Sequence, residues 1–416
     1  MGISKPSLQL IAANIQQVTD LTDSSVGNLL SARRRRIGYV IGQLTHGGAE
    51  RQLYELVRGI DANSFQPFVY CLSEKTVPFG DLIRESGAEL RVLHRRCHFD
   101  MARMRELASL LRRDRIDILH SFLFKANGYA WPAHFLAGVP HLVTSARSCN
   151  TELGFLRDWV NRLAFWSSDV IICNGEAVRS FVAQHFNVPI QKSVVIHNGI
   201  DLDRFQTSLV PLTSNGLDLK PAHRLVITVA RLVPEKDIEL FIEAAKLLGH
   251  EYADVRFLIV GDGPCRSDLM RCASENGLDG KISFLGERDD VPQLLATADV
   301  FWLTSKWEGL PNVLLEAMTC GKPVVARDVG ACRELINNNE NGFLVSGRDA
   351  KKFAHYTVGL LTNPAHARAM GLAGRKLVKE KFSVARMVKA TQALYDSVIE
   401  KSVCTKSSSL QDRLDG

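Results

Sequence analysis

The segment Val300–Ala326, VFWLTSKWEGLPNVLLEAMTCGKPVVA, is the stretch that decides the fold class of this chain. It opens with an apolar run that predicts a strand ending near Thr304, and a polar loop follows. Pro311 is suited to the first turn of a helix, and Gly321 is suited to the position just after its end. The apolar run Pro323–Ala326 predicts a second strand. A strand, a helix and a strand in this order predict a βαβ unit of a parallel sheet.

The same alternation of apolar strands and amphipathic helices continues on both sides of this segment. A chain of 416 residues exceeds the usual domain size of about 100–200 residues, which predicts two domains. The break falls near Asp203–Lys220, a stretch of loop composition. We therefore expect two Rossmann-like, doubly wound α/β domains facing across a cleft, and ligands bind such sheets beyond the carboxyl ends of the strands. The predicted order is an N-terminal extension, a first domain, a second domain, and a C-terminal helix that crosses back, with a tail: 1–36, 37–205, 206–385 and 386–416.

The composition excludes several classes of protein. Lys and Arg total 51 against 45 Asp and Glu, and the resulting charge of +6 is too small for a dedicated nucleic-acid binder. The nine cysteines are scattered without a Cys-x-x-Cys pair, so neither a disulfide framework nor a zinc site is expected. No apolar run reaches the roughly 18 residues of a membrane span, and Leu8–Ala13 is too short for a secretory signal. We expect a cytoplasmic protein.

Two glutamates in the opening segment are candidates for ligand binding. Glu308 lies just before the predicted helix, and Glu316 lies inside it. A helix N-terminus presents unpaired N–H groups that suit an anion, so a carboxylate beside it suits contact with hydroxyls or a cation. The residues alone leave an alternative open, in which Glu308 is an acidic residue at a helix start and Glu316 is an ordinary surface side chain.

A pair of cations follows the predicted strand Leu225–Ala230. Arg231 and Lys236 lie five positions apart in a loop at the carboxyl end of that strand. Two cations at this place are able to clamp a diphosphate and to stabilise its charge as it leaves. Taken by itself, the same spacing is also common on protein surfaces.

The arrangement Glu308-Gly309-Leu310-Pro311, with Glu316 following, resembles the signature of a known family. It is similar to that of the retaining nucleotide-sugar glycosyltransferases of the GT-B fold, glycosyltransferase family 4. The resemblance implies that Glu316 holds the ribose hydroxyls of a nucleotide and that Glu308 lies by the donor sugar and phosphates. It also implies that the backbone of Gly309 and Leu310 faces the diphosphate or the sugar hydroxyls.

Other positions of the second domain fit the same resemblance. Arg231 and Lys236 match the cations with which the family neutralises the diphosphate. Gly261 lies in a strand-to-helix turn that fits the nucleotide side, and Leu285 lies in a segment whose backbone meets the base in the family. A Gly-x-Gly turn and a strand end are weak signals without this context.

The candidates in the first domain are two glycines, a histidine and an arginine. Gly47 and Gly48 allow the backbone to approach a ligand closely, and they match the family loop that closes over the donor and helps to form the acceptor site. His120 stands where the family often has a His-x-His pair. The second position is Phe122, which leaves a core histidine as the alternative. Arg147 follows a predicted strand and is a further candidate for binding substrate in the cleft.

Asp201 and Asp203 form an Asp-x-Asp pattern that elsewhere holds a metal diphosphate. The pattern falls at the domain boundary without a fitting strand end, so we interpret it as part of the hinge. Arg231 and Lys236 would then do electrostatically what a metal would do. Neither a metal nor another cofactor is predicted.

The resemblance implies an enzyme that transfers a sugar from a nucleotide diphosphate sugar to a hydroxyl, with retention of the anomeric configuration. No carboxylate is placed as an obvious nucleophile, so a covalent two-carboxylate scheme is not favoured, and a same-face displacement is the family's usual account. The implied role lies in glycan, polysaccharide or lipopolysaccharide biosynthesis, and a lipid-linked saccharide is one candidate acceptor. Two alternatives are a nucleotide-sugar epimerase or hydrolase of the same fold and a non-catalytic scaffold.

The first half of the chain is the more basic half. Residues 91–115 contain eight arginines against three acidic residues. With Met101, Met104 and Leu111, this segment predicts one of two things: a helix lying on the inner face of an anionic membrane, or a helix that packs its apolar face on its own sheet. The run Arg33–Arg36 also allows two interpretations: the arginines contact acidic lipid headgroups, or they are exposed to solvent.

Overall fold

Two parallel sheets with helices on both faces form the two halves of the molecule. The computed structural model describes residues 33–94, 100–150, 154–206 and 222–414, and the side chains of these ranges up to residue 401. The prediction of two doubly wound α/β domains is confirmed, because each sheet is parallel and its strand order reverses at its first strand.

The first sheet has seven strands, and their order is β3-β2-β1-β4-β5-β6-β7. They are β1 (Arg35–Ile41), β2 (Phe65–Cys71), β3 (Glu89–Val92), β4 (Ile118–Phe122), β5 (His141–Ala146), β6 (Val170–Cys173) and β7 (Ser193–Val195). Successive side chains of a strand point to opposite faces, so Tyr39 and Ile41 join one core cluster and Val40 joins another. Both faces of the sheet are therefore covered.

The helices of this half are α1 (Gly48–Gly59), α2 (Phe79–Glu85), α3 (Met101–Arg113), α4 (Leu123–Ala137), α5 (Phe155–Ser167) and α6 (Glu176–His185). The short helix α7 (Leu202–Gln206) follows β7, and its Phe205 lies in the core of the other half. Leu56 of α1 and Ile83 of α2 lie in the core of one face. Leu107 of α3 and Ala130 of α4 lie in the core of the other face. The layering is helix, sheet, helix.

The second sheet has six strands in the order β10-β9-β8-β11-β12-β13. They are β8 (Arg224–Val229), β9 (Val255–Val260), β10 (Ile282–Phe284), β11 (Val300–Leu303), β12 (Val324–Arg327) and β13 (Phe343–Val345). The helices are α8 (Ile238–Glu251), α9 (Arg266–Glu275), α10 (Val291–Thr297), α11 (Asn312–Thr319), α12 (Cys332–Leu335), α13 (Ala350–Thr362) and α14 (Pro364–Lys381). Trp302 of β11 is fully buried, and its indole N–H donates to the hydroxyl of Thr357 at 2.8 Å.

The final helix, α15 (Val384–Leu414), follows the second domain in sequence but packs on the first. Val388, Tyr395 and Val398 lie in the same core cluster as the residues of α1. The hydroxyl of Tyr395 also lies within hydrogen-bond distance of His120. The two domains are therefore joined by a second chain crossing besides the segment around residue 206.

The strand, helix and strand predicted in Val300–Ala326 are present as β11, α11 and β12. The sequence patterns did not predict the helices α4, α5, α6, α7, α12 and α14. Apolar residues are distributed around α4, where Ala126 and Ala133 are buried while Phe135 is exposed. Such a helix lacks the amphipathic period on which sequence interpretation relies.

Of the two interpretations of residues 91–115, the structure supports packing on the protein's own sheet. Leu107 and Leu111 of α3 are in the core. Arg103 is buried as well, and its Nη1 donates to the carbonyl of Leu72 at 3.1 Å. Met101 is exposed on the other side. The predicted face that combined Met101, Met104 and Leu111 was wrong, because Leu111 points inward and Met101 does not.

The arginine run takes part in the fold where it is described. Arg33 binds Asp117 at 2.7 Å, Arg35 pairs with Asp396, and Arg36 belongs to β1. These arginines are held by the first domain. Residues 1–32 of the predicted N-terminal extension lie outside the described residues, which begin at residue 33.

Candidate functional site

A cleft of about 1,370 Å³ separates the carboxyl ends of the two sheets. The loops after β1, β4, β5 and β6 line its first-domain side, and the loops after β8, β9 and β11 line its second-domain side. Most of the predicted site residues lie here together. Those that line the cleft are Gly47, Gly48, Arg147, Arg231, Lys236, Gly261, Glu308, Gly309, Leu310 and Glu316.

The centre of the second-domain side is an ion pair. The Nζ of Lys236 lies 2.6 Å from Oε1 of Glu308, and both side chains are mostly shielded from solvent. The backbone holds their loops together, because the hydroxyl of Thr304 donates to the carbonyl of Lys236 at 3.0 Å. The N–H of Lys306 donates to the carbonyl of Glu235 at 2.8 Å. A cation and a carboxylate are thus positioned before any ligand binds.

Asp237, the residue after Lys236, fixes the end of the loop that carries Lys236. It is 2% exposed, and it accepts bonds from Arg327 at 3.0 Å and from Arg348 at 3.3 Å. Its backbone is left-handed, with φ of 47°, which turns the chain from the short 3₁₀ turn Pro234–Lys236 into α8. Asp237 had not been predicted, because a buried aspartate between two distant arginines has no signal in a single sequence.

Arg231 is the more exposed cation of the predicted pair. Its guanidinium donates to Glu235 at 3.1 Å, and 64% of the side chain is accessible. Gly261 lies behind this loop with φ of +124°, and a Cβ there would be 2.0 Å from the carbonyl oxygen of Ala230. Only glycine permits this approach, so the turn after β9 supports the loop that carries Arg231.

Glu316 is buried within α11, with 8% of its surface exposed. Burial raises the pKa of its carboxyl, and the charges of Arg51 and Arg204 partly oppose this. Arg51 belongs to α1 of the first domain, and Arg204 belongs to α7, whose Phe205 lies in the core of the second domain. The alternative of an ordinary surface glutamate is therefore wrong. The sequence did not single out Arg51 or Arg204, because cations on amphipathic helices are common.

The two domains are bonded to each other along one edge of the cleft. The side chain of Asn312 donates to the carbonyl of Gly48 at 3.1 Å. The amide of Asn198 donates to the carbonyl of Leu310 at 3.1 Å and to Oδ1 of Asn312 at 2.7 Å. At Gly309 a Cβ would lie 2.2 Å from the carbonyl oxygen of Arg147, which requires glycine at this approach.

Arg147 lies on the first-domain side at the end of β5. Its Nη1 donates to Oδ1 of Asn198 at 2.7 Å, and its guanidinium lies over the ring of Phe122 at 5.0 Å. Burial lowers its pKa to about 10. Within the described residues, its buried Nε has no hydrogen-bond partner. The side chain is thus a cation bonded to a neutral amide.

Two predicted residues are placed differently from the rest. His120 is 1% exposed in the core, and its ring nitrogens bond the hydroxyls of Tyr395 at 2.7 Å and Ser145 at 2.8 Å. Burial lowers its pKa well below the usual value, so the core alternative describes its placement. Leu285 packs on the second-domain core, and its N–H donates to the carbonyl of Ile259. The nearby residues 287–289 line the cleft instead.

In the Asp-x-Asp pattern, Asp201 bonds to other groups of the protein. Asp201 lies 2.9 Å from Arg58, and its other oxygen accepts the N–H of Asp203 at 3.1 Å. Over the described ranges, no group of three or more His, Cys, Asp or Glu side chains is arranged to hold a metal ion. In the same ranges, no helix combines the length and apolarity that crossing a membrane requires.

Two family models match the chain, one on each domain. "Glycosyltransferase Family 4" matches residues 46–204, and "Glycosyl transferases group 1" matches residues 213–377. Together they span well over half of the chain. The break between the two matches falls at the boundary between the two sheets.

Similar proteins agree with these matches. The chain is 28% identical to the UDP-Gal:alpha-D-GlcNAc-diphosphoundecaprenol alpha-1,3-galactosyltransferase of Escherichia coli over 85% of this chain and 97% of that protein. It is 27% identical to the lipopolysaccharide core biosynthesis mannosyltransferase LpsB of Rhizobium meliloti, over 78% of this chain and 85% of that one. Among solved structures, Alr3699/HepE of Anabaena in complex with UDP-glucose matches with a TM-score of 0.76 and 21% identity. That match covers 87% of this chain and 99% of that one, and it supports the GT-B fold.

Proposed function

Because the chain belongs to glycosyltransferase family 4 and has the GT-B fold, we propose that it transfers a sugar from a nucleotide diphosphate sugar to an acceptor hydroxyl with retention of configuration. The observation that carries this proposal is the Lys236–Glu308 ion pair in the cleft. Arg231 extends the same cationic surface, and Glu316 lies further along the element that follows Glu308. The set is complementary to the parts of a nucleotide diphosphate sugar.

On the donor side, each group has a distinct part to bind. Glu316, ionised, accepts hydrogen bonds from the ribose hydroxyls. Lys236 and Arg231 neutralise the diphosphate, and their contribution grows as negative charge develops on the leaving group. Glu308 orients Lys236 and lies by the sugar. The tight turn at Gly261 keeps Arg231 at the cleft.

The reaction that suits this site is a displacement on one face of the sugar. The bond between the anomeric carbon and the diphosphate oxygen breaks, and the acceptor oxygen bonds to the same carbon. The acceptor proton passes to the leaving phosphate oxygen, so charges and atoms balance. The protein positions both reactants and stabilises the leaving charge, and no metal is required in this scheme.

On the acceptor side, the first domain offers a cation, Arg147, whose hydrogen-bond partner is a neutral amide. Lys125 and Arg157 also line the cleft. These groups suit an acceptor that carries phosphate, such as a lipid-linked saccharide. The E. coli relative is named for a diphosphoundecaprenol substrate, which supports this choice. We place the reaction in lipopolysaccharide or polysaccharide biosynthesis at the cytoplasmic side of a membrane.

The donor is tested by thermal shift against nucleoside diphosphates and their sugars. We expect the free energy of unfolding to rise with one nucleotide, and no shift with any of them would contradict the proposal. Turnover with that sugar and a polyprenyl-diphosphate-linked acceptor is then followed, and the product is analysed by NMR. An inverted anomeric centre would overturn the proposal of retention.

The same assay separates the alternatives. An epimerase or hydrolase would convert the donor at the same rate without any acceptor. A scaffold would bind nucleotide and convert nothing. A chelator should leave the rate of sugar transfer unchanged. Loss of transfer activity on chelation would show that a metal takes part.

A further inference from the structure

The helix α5 exposes a row of large apolar side chains on the first domain. Phe155 is 88% exposed, Trp159 is 52% exposed and Trp166 is 46% exposed. With the exposed Arg162, they are spaced by four, three and four residues, which places all of them on one face of a helix. Leu156, 72% exposed, lies beside Phe155. We call these five residues the α5 face.

The opposite side of α5 is firmly packed, so the α5 face has a defined orientation. Ala164 and Phe165 are buried, and Phe165 contacts Phe186 edge-on with centroids 5.1 Å apart. Asn161 is buried too, and its Oδ1 accepts a bond from Asn127 at 2.9 Å. The inner side of α5 therefore packs on the core, and the aromatic residues of the α5 face point to solvent.

The neighbouring helix α4 enlarges the apolar surface. Phe135 and Leu136 at its end are 60% and 44% exposed, and α4 packs beside α5, with Gly128 against Val160. Among the described residues of the second domain, the exposed large apolar side chains are single ones on three separate helices: Leu247, Met270 and Leu372. Isolated apolar residues are ordinary on surfaces, whereas a contiguous patch marks an interaction site.

Cations accompany the apolar residues. Arg162 is exposed within the α5 face, and Arg112 reaches the carbonyl of Leu136 from α3. The acidic residue of α5, Asp158, is engaged with His185 at 3.1 Å. Aromatic side chains with surrounding arginines have the composition of surfaces that lie at an anionic lipid interface, where Trp is favoured and cations are attracted.

We propose that the α5 face docks this protein on the surface of an anionic bilayer. Arg157, on the opposite side of the same helix, lines the cleft and lies over the ring of Phe124 at 5.5 Å, so α5 lies between the α5 face and the cleft. The proposal that the α5 face docks on a bilayer rests only on the residues exposed there. The use of this docking for a lipid-linked acceptor rests on the proposed function.

The test is binding of the full chain to vesicles of phosphatidylcholine, with and without phosphatidylglycerol. We expect sedimentation with the anionic vesicles at low salt, a blue shift of tryptophan emission, and quenching by brominated lipid. The double variant W159S/W166S should lose the quenching and reduce partitioning by about tenfold or more. Arg162→Glu should reduce partitioning by a similar factor, since each charge near such a surface contributes about 1 kcal/mol.

Matched controls lie on the second domain. Leu372→Ser removes an apolar residue that is 54% exposed, and Arg368→Glu reverses an exposed charge. Both should bind vesicles like the parent chain. All four variants are solvent-facing, so circular dichroism and melting should be unchanged.

Two results would overturn the docking. One is a chain that stays in the supernatant with anionic vesicles at low salt. The other is a concentration-dependent dimer that W159S/W166S abolishes, which would show that a second copy of the chain covers the face. Conversion of donor with a water-soluble acceptor should be unaffected by W159S/W166S. Loss of docking with transfer intact, or the reverse, therefore tells the two proposals apart.

Discussion

Two cations on opposite sides of the cleft, Lys236 and Arg147, differ in how they are neutralised. On the second-domain side, Lys236 is paired with Glu308 and Arg231 with Glu235. On the first-domain side, Arg147 is bonded to the amide of Asn198. A cation with a carboxylate partner is held in place before the ligand arrives. A cation with a neutral partner retains more of its attraction for an anion. In the function proposed above, Lys236 binds the leaving diphosphate and Arg147 binds an anionic acceptor.

The largest expected effect tests the second-domain side. Lys236→Ala should lower kcat by about two orders of magnitude or more, because it removes a charge that stabilises the leaving group. Glu308→Gln should also lower kcat, since Lys236 would lose its orienting partner. Lys306→Ala is the control, as it lies near by but outside the cleft lining. Steady-state transfer measures this, and an unimpaired Lys236→Ala enzyme would favour a scaffold.

The next effect tests the first-domain side. Arg147→Met should raise the KM for a phosphate-bearing acceptor by about 10- to 100-fold, because a hydrogen bond to a charged group contributes about 1.5–3 kcal/mol. Arg147→Lys should restore part of the lost acceptor binding. Arg84→Met, at an exposed position of α2, should leave this KM unchanged. A rise in donor KM instead would remove the division between the two sides.

A smaller effect sharpens the role of Glu316. Glu316→Gln should weaken binding of a nucleoside diphosphate by about tenfold, because an amide oxygen is a weaker acceptor than a carboxylate. Since burial raises its pKa, the carboxyl gains its proton above the ordinary value of about 4.3. Binding to the parent chain should therefore weaken as the pH falls through this raised pKa. Calorimetry should show a flatter pH profile for the Gln variant in the same range. Equal profiles would exclude the carboxylate from nucleotide binding.

The smallest effect on turnover is expected at His120. His120→Phe should leave kcat nearly unchanged, since the ring lies in the core. Its pKa is lowered in the folded state, so the unfolded chain binds the proton first as pH falls. The stability that the neutral ring contributes is present above about pH 6.5 and is lost below it, by up to about 1.4 kcal/mol per pH unit. Melting curves should show a smaller loss in His120→Phe, and a collapse of kcat would instead indicate a catalytic role.

Much of the second-domain site could be predicted because its residues are close together in sequence. Glu308 and Glu316 belong to one loop and helix, and Arg231 and Lys236 to one loop. Asn198 and Asn312 show the limit of this approach. They bond across the cleft at 2.7 Å, and nothing in either local segment indicates the partner.

The alternation of strands and helices determined the two parallel-sheet domains, and the spacing in Val300–Ala326 determined which residues to examine. Both are local, because secondary structure and turn chemistry depend on neighbours along the chain. Only the tertiary structure decided that His120 belongs to the core, that Asp237 holds Arg327 and Arg348, and that α5 turns its aromatic residues outward. Burial and charge pairing depend on which segments, far apart along the chain, pack together. Local sequence patterns do not specify those contacts.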